Sequence, residues 1–214
     1  MKLKMKTPLL FFLVACISSL SFGQIRIAPE IGANLSSYTS KYELGNTAFT
    51  NTSQYLLGFR AGVALDLGIT DHIALQPGFY YNLGKTKDEV TFLGSTYSET
   101  TSIHGFQLPV YLMLRTGGSD QGHFFVGVGP VFNWNLSGSQ EGNNIKRELD
   151  FGNDTSDDIR SFELGASATA GFKLKMGAFV RAYYNLGLSN LSPNDNNNHT
   201  LRSNSFGLSL GYFL

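Results

Sequence analysis

Apolar and polar residues alternate one by one along most of the chain, in eight separate stretches after residue 23. A period of two places successive side chains on opposite faces of a β-strand, so each stretch has one apolar and one polar face. The sequence therefore predicts an all-β fold of eight strands. Their predicted ranges are 24–36, 53–68, 72–84, 101–116, 123–137, 160–173, 176–189 and 203–214.

The polar face of these strands carries most of the strand glycines and charged residues, such as Arg26, Asp66 and Gly129. Strands of this kind can build a soluble sandwich or lipocalin-like barrel with the apolar face inside, or a membrane barrel with that face outside. Large side chains dominate the apolar face, whereas a soluble surface is dense in Lys and Glu. The charged fraction is only 15%, against roughly 25% in soluble domains. Both observations favour the membrane barrel.

Aromatic residues and connection lengths point the same way. Tyr55, Tyr81 and Trp134 lie toward one end of their strands, and Phe124 and Tyr212 toward the other, as in two interfacial girdles. Short turns alternate with long polar loops, which is typical of outer-membrane barrels. The short turns are at 69–71, 117–122 and 174–175, and the long loops at 37–52, 85–100, 138–159 and 190–202.

Lipid offers the backbone no hydrogen-bond partner, so the first and last strands must pair and remove both sheet edges. We therefore predict an eight-stranded antiparallel up-and-down transmembrane β-barrel, with both termini in the periplasm. The expected location is the bacterial outer membrane. The composition offers no basic patch or motif for nucleic acid.

The first 23 residues look like a targeting segment. Three lysines within the first six residues precede an apolar run at 8–17, and a small-x-small site ends at Gly23. This pattern is typical of a secretory signal peptide. We expect a signal peptide at 1–23 and a barrel domain at 24–214. The only cysteine, Cys16, lies in a sequence that resembles a lipoprotein processing box, so lipidation of Cys16 remains an alternative.

Six short motifs follow one another along the mature chain. They are GFRAG at 58–62, LQPG at 75–78, FQLPVYL at 106–112, VGVGP at 126–130, YNLGL at 184–188 and SLGYFL at 209–214. In this order and spacing the chain resembles the PorT-like outer-membrane β-barrel proteins of Bacteroidetes. The resemblance implies an outer-membrane protein beta-barrel domain and an association with secretion machinery. It implies no catalytic motif.

The last strand ends in a run of alternating apolar residues. This run is similar to the signal that the barrel-assembly machinery recognises on a final strand, so we expect that machinery as a partner. The residues of the predicted signal are Phe206, Leu208, Leu210, Tyr212 and Leu214.

Four charged residues are predicted to project into the lumen: Glu30, Arg60, Glu163 and Arg181. An eight-stranded barrel is just wide enough for side chains to fill it, and buried charges need partners. We expect a salt-bridged plug, and hence a structural or interaction barrel. The alternative is a narrow pore for ions or small solutes, which would be favoured if Arg60 and Arg181 lacked carboxylate partners.

A lipid A-modifying enzyme is a third hypothesis. Such chemistry needs a Ser–His contact near the outer rim. Ser102 and His104 are candidates, but same-face neighbours on one strand lie about 7 Å apart, and His199 has no evident partner in the sequence. We therefore predict no enzymatic activity.

No cofactor or metal site is expected. The acidic loop 138–159 lacks the spacing of an EF-hand and is interpreted as a solvated loop facing lipopolysaccharide. Beyond lipid and lipopolysaccharide, we expect protein partners to bind through the outer loops or the periplasmic turns.

The targeting segment yields a direct test. We expect the mature protein to begin at Gln24, without Cys16, because cleavage follows the small residue Gly23. Intact-mass spectrometry of protein purified from outer membranes measures this. A mass that includes Cys16 and attached acyl chains would identify a lipoprotein instead.

Overall fold

The computed structural model describes residues 25–44, 47–92, 95–118, 121–142, 145–193 and 199–214. They form one antiparallel sheet of ten strands. The strands are β1 (Ile25–Leu44), β2 (Thr47–Thr52), β3 (Gln54–Gly68), β4 (Ile73–Phe92), β5 (Ser95–Arg115), β6 (His123–Gly142), β7 (Ile145–Glu148), β8 (Phe162–Lys173), β9 (Ala178–Gly187) and β10 (His199–Tyr212). None of the described residues lies in a helix long and apolar enough to cross a membrane. The predicted signal peptide at 1–23 lies outside the described residues.

The sheet closes on itself, as predicted. β1 pairs with β3 on one side and with β10 on the other, in a register that runs from Glu30↔Gly211 to Tyr42↔His199. Eight strands build the wall, and each corresponds to one predicted strand. The two additional strands, β2 and β7, are short and pair only with β1 and β6.

Two of the predicted long loops, 37–52 and 85–100, are largely strand, and the sequence-based boundaries were wrong there. β4 and β5 remain paired up to Phe92↔Ser95, far beyond the predicted strand end at 84. β1 continues to Leu44 and turns back as β2, and β6 turns back as β7. The reason is that polar residues also form strands when the partner strand supplies backbone hydrogen bonds, and hydrophobic alternation does not report such pairing.

Strand periodicity separates the two faces of the wall as predicted. Leu57 and Val128, on the outward face, are 66% and 62% exposed. Arg60 and Arg181 point inward and are completely buried. The large apolar surface faces outward because the interior of so narrow a barrel is already filled by its inward side chains.

The two ends of the barrel differ. The end with short connections, here called the periplasmic end, has tight turns such as 174–177, where Gly177 adopts a φ of 101° that disfavours other residues. The opposite, outer end carries the paired extensions of β1, β4, β5 and β6.

A cluster of buried apolar residues, here called the apolar cap, lies at the outer end of the barrel. Its buried core consists of Ile103, Leu149, Ile159 and Leu191, with Tyr38 and Leu201 packed against it. Leu149 and Ile159 both belong to the acidic segment 138–159, which was predicted to be a solvated loop, so that prediction holds only for part of the segment. The sequence signal was overlooked because the two apolar residues are isolated among acidic ones.

Candidate functional site in the barrel lumen

Glu30 on β1 lies at the centre of the lumen. Its carboxylate forms ion pairs with Arg60 on β3 and, at 3.2 Å, with Arg181 on β9. Tyr80 donates a hydrogen bond to it at 2.9 Å and Ser209 donates another at 2.5 Å. Five strands thus meet at one carboxylate, because inward side chains of opposite walls touch in a barrel of this width.

Aromatic rings complete this central cluster. The guanidinium of Arg60 lies 3.5 Å from the ring centroid of Tyr183 and 4.3 Å from that of Tyr80. The guanidinium of Arg181 lies 5.2 Å from the ring centroid of Phe179. Desolvated cation–π contacts of this kind contribute about 2 kcal/mol each. They let two buried guanidiniums share a single carboxylate.

A second carboxylate, Asp66, lies nearer the periplasmic end. It pairs with Arg26 at 2.6 Å and with Arg115. Gln76 connects the two clusters, because its amide nitrogen donates to Asp66 at 3.4 Å while its oxygen accepts from Arg181. The hydrogen bonds therefore form one continuous network from Arg60 to Arg115 through the lumen.

Glu163, the fourth predicted lumen charge, lies apart from this network near the outer end. Its carboxylate accepts hydrogen bonds from Asn133 at 2.9 Å and from the Ser203 hydroxyl at 2.7 and 2.8 Å. The structure thus brings Glu30, Arg60 and Arg181 together and places Glu163 in a different environment.

Sequence reasoning missed the neutral members of the network. Gln76, Tyr80 and Ser209 all fall on the predicted inward face, so the alternation itself carried the signal. Most of their partners were not predictable, because Tyr80 and Ser209 are 50 and 179 positions from Glu30, and Gln76 is 105 positions from Arg181.

The histidines at the outer end have different partners from those considered in the sequence. His104 Nδ1 lies 2.5 Å from the hydroxyl of Tyr81, which places it in the outer aromatic girdle and not beside Ser102. His199, which has no evident partner in the sequence, lies 3.0 Å from Ser40 through Nε2 and 3.0 Å from Ser192 through Nδ1. The two serine partners of His199 were not evident from the sequence, because Ser40 is 159 positions away in the chain.

His199 is also stacked on Tyr42, with ring centroids 4.0 Å apart. Burial lowers the pKa of the imidazole below its usual value, so His199 is neutral at pH 7 and can accept a proton. Among the described residues, no group of three or more His, Cys, Asp or Glu side chains forms a metal site.

The residues of the predicted assembly signal lie on the outward face of β10 and just beyond it. Leu208 and Leu210 are exposed there, and Leu214 donates its backbone N–H to Ile27 at 2.9 Å. The last strand therefore presents an apolar row to its surroundings while its backbone is paired on both sides.

The central cluster predicts a large effect of one substitution. Glu30→Ala should lower the free energy of unfolding by about 3–5 kcal/mol, because it leaves two buried guanidiniums without their carboxylate. Urea unfolding of the barrel refolded into lipid vesicles measures the loss. The matched control Glu141→Ala removes an exposed carboxylate on β6 and should change the value by no more than about 0.5 kcal/mol. Equal effects of the two substitutions would contradict a buried ion-pair cluster.

Among solved structures, the chain is similar to Ail, the attachment invasion locus protein of Yersinia pestis (10% identity, 87% of this chain and 99% of that chain, TM-score 0.39). It is also similar to the outer membrane protein OprG from Pseudomonas aeruginosa (10% identity, 90% and 97%, TM-score 0.47) and to the outer membrane protease OmpT from Escherichia coli (10% identity, 92% and 99%, TM-score 0.36). A sequence comparison with curated proteins finds no match.

A family model described as "Outer membrane protein beta-barrel domain" matches residues 18–192, which is most of the chain. The match agrees with the closed antiparallel sheet and its apolar outward face. This protein is therefore a small outer-membrane β-barrel that belongs to the outer membrane protein beta-barrel domain family.

Proposed function

We propose that this barrel is a structural or interaction protein whose lumen is closed by ion-paired side chains. The observation that carries the proposal is that Arg60 and Arg181 share the carboxylate of Glu30, with all three side chains buried. A water-filled path would leave such groups hydrated. The continuous hydrogen-bond network to Asp66 supports the same proposal, because it fixes side chains from opposite walls across the lumen.

The outer hairpins supply the surface for a partner. Tyr42, Phe49, Tyr97 and Ile145 are all more than half exposed on the paired extensions above the outer aromatic girdle. Aromatic side chains are enriched in protein interfaces. The motifs that resemble PorT-like proteins support membership in that branch and an association with secretion machinery. Export through the signal peptide and insertion by the barrel-assembly machinery, through the last strand, belong to the same proposal.

Single-channel conductance tests the closed lumen. We expect residues 24–214, refolded into a planar bilayer, to give no reproducible current steps, since the ion pairs occupy the lumen. The double variant Arg60→Ala, Arg181→Ala should conduct, because it removes two large buried side chains from the centre.

The control for conductance is Arg147→Ala, which removes an exposed arginine on β7 that pairs with Asp158. Like the natural sequence, this variant should give no reproducible current steps. Clear current steps from the natural sequence would reject the closed lumen and support the narrow pore.

A second candidate function rests on the contact of Ser40 with His199. The Ser40 hydroxyl lies 3.0 Å from Nε2 of a neutral imidazole whose Nδ1 is 3.0 Å from the Ser192 hydroxyl. This is the geometry in which a histidine removes a proton from an attacking serine, with a third group orienting the ring. We propose it as a candidate acyl-transfer site at the outer rim, where a lipid A substrate would be reached.

A fluorophosphonate probe tests this second candidate. If Ser40 is activated, its oxygen attacks phosphorus, fluoride leaves, and His199 takes the proton. Labelling should be lost in Ser40→Ala and retained in Ser102→Ala, another serine at the rim. It should weaken as the pH falls through the lowered pKa of His199, because the protonated ring cannot act as a base. Absence of labelling, or labelling that persists in Ser40→Ala, would leave the contact a structural one.

A further inference from the structure

A small polar chamber lies in the outer part of the lumen. Its volume is about 40 Å³, and Glu163, Asn133, Asn82, Ser36 and Ser205 are among its lining residues. Ile103 and Tyr38 line it as well, and both also belong to the apolar cap. Residues of the apolar cap thus form part of the chamber wall.

The hydrogen bonds around Glu163 favour an ionised carboxylate. Oε1 accepts from the Ser203 hydroxyl at 2.7 Å, and Oε2 accepts from Asn133 at 2.9 Å. Burial by itself favours the neutral acid, so an ionised Glu163 needs these donors and an opposite charge nearby. Glu163 is 97% buried, so a negative charge on it would be removed from water.

The charge of Glu163 is compensated differently from that of the other lumen acids. Glu30 and Asp66 each bind two guanidiniums, whereas the hydrogen bonds shown for Glu163 come from neutral donors. A buried charge needs an opposite charge or complete hydrogen bonding. The chamber beside Glu163 offers space for such a charge.

A second residue that lines the chamber has a polar atom without a donor. Asn133 is 91% buried, and while its Nδ2 donates to Glu163, its Oδ1 has no hydrogen-bond partner. The orientation of the amide is fixed by that donated bond. The chamber therefore combines a carboxylate with an orphaned amide oxygen, and both are ligands for a hard cation.

The backbone at Gly187 packs closely against the Glu163 carboxylate. A Cβ atom at Gly187 would lie 2.1 Å from Glu163 Oε1, so any larger residue there would displace the carboxylate. The volume corresponds to roughly three water-sized ligands, at about 10–15 Å³ each. One cation with one or two water molecules fits this space.

We propose that the chamber binds a monovalent hard cation, for which sodium is the match, through Glu163 and the Oδ1 of Asn133. One carboxylate neutralises one positive charge, while a divalent ion would leave a buried net charge. The cation would enter during folding and would hold β6, β8 and β10 together, since Asn133, Glu163 and Ser203 lie on these strands. The proposal for this site does not depend on the proposal that the lumen is closed to ions.

Thermal unfolding in different chloride salts tests the proposal. The natural protein should be refolded and heated at pH 7.5 in sodium chloride or in N-methyl-D-glucamine chloride at equal ionic strength. We expect an unfolding midpoint several degrees higher in sodium, with a saturable dependence on sodium concentration. Glu163→Gln should show equal midpoints in both salts, and the exposed control Glu141→Gln should keep the difference.

A gain-of-function variant makes the test independent of the stability of Glu163→Gln. Asn133→Asp adds a second carboxylate at the same position, so millimolar calcium should raise its midpoint but not that of the natural protein. Equal midpoints of the natural protein in both salts would overturn the proposal. A sodium effect that survives in Glu163→Gln would also overturn it. If sodium has no effect and the midpoint rises between pH 8 and pH 5 in the natural protein alone, the chamber takes a proton instead.

Discussion

Backbone hydrogen bonding in lipid is the constraint on which this structure depends. Every strand in the bilayer needs two paired neighbours, so β1 must meet β10. With eight strands in the wall, closure leaves an interior only as wide as the side chains that fill it. The inward faces of opposite strands then contact each other directly. This contact turns residues that are far apart in the chain, such as Glu30 and Ser209, into direct neighbours.

The lumen is electrostatically uneven along its axis. Toward the periplasmic end and at the centre, guanidiniums outnumber carboxylates, with Arg26 and Arg115 on Asp66 and Arg60 and Arg181 on Glu30. Aromatic faces help to hold the surplus positive charge at the centre. Near the outer end the balance is different, because the carboxylate of Glu163 accepts hydrogen bonds from an amide and a hydroxyl and not from guanidiniums. The same barrel thus provides a rigid ion-paired centre and a separate chamber rich in oxygen atoms.

The outer end shows where sequence patterns stop being informative. Alternation identified the strands within the membrane because lipid demands an apolar face there. Above the outer girdle, β2 and β7 are exposed along their whole length, so no apolar face is demanded of them. The contact between Ser40 and His199 arises in this region. It depends on the register Tyr42↔His199, which only the closing pair of strands establishes.

The sequence by itself determined the fold class, the eight wall strands and the face on which each residue lies. It could do so because strand periodicity and the apolar requirement of lipid act locally, residue by residue. It also identified Glu30, Arg60, Glu163 and Arg181 as inward charges. Only the tertiary structure decided which of them meet. Partners across a barrel depend on strand register and stagger, and these are set by the closure of the whole sheet. For this reason Glu30 gathers two arginines while Glu163, equally buried, is left with neutral donors and an adjacent cavity.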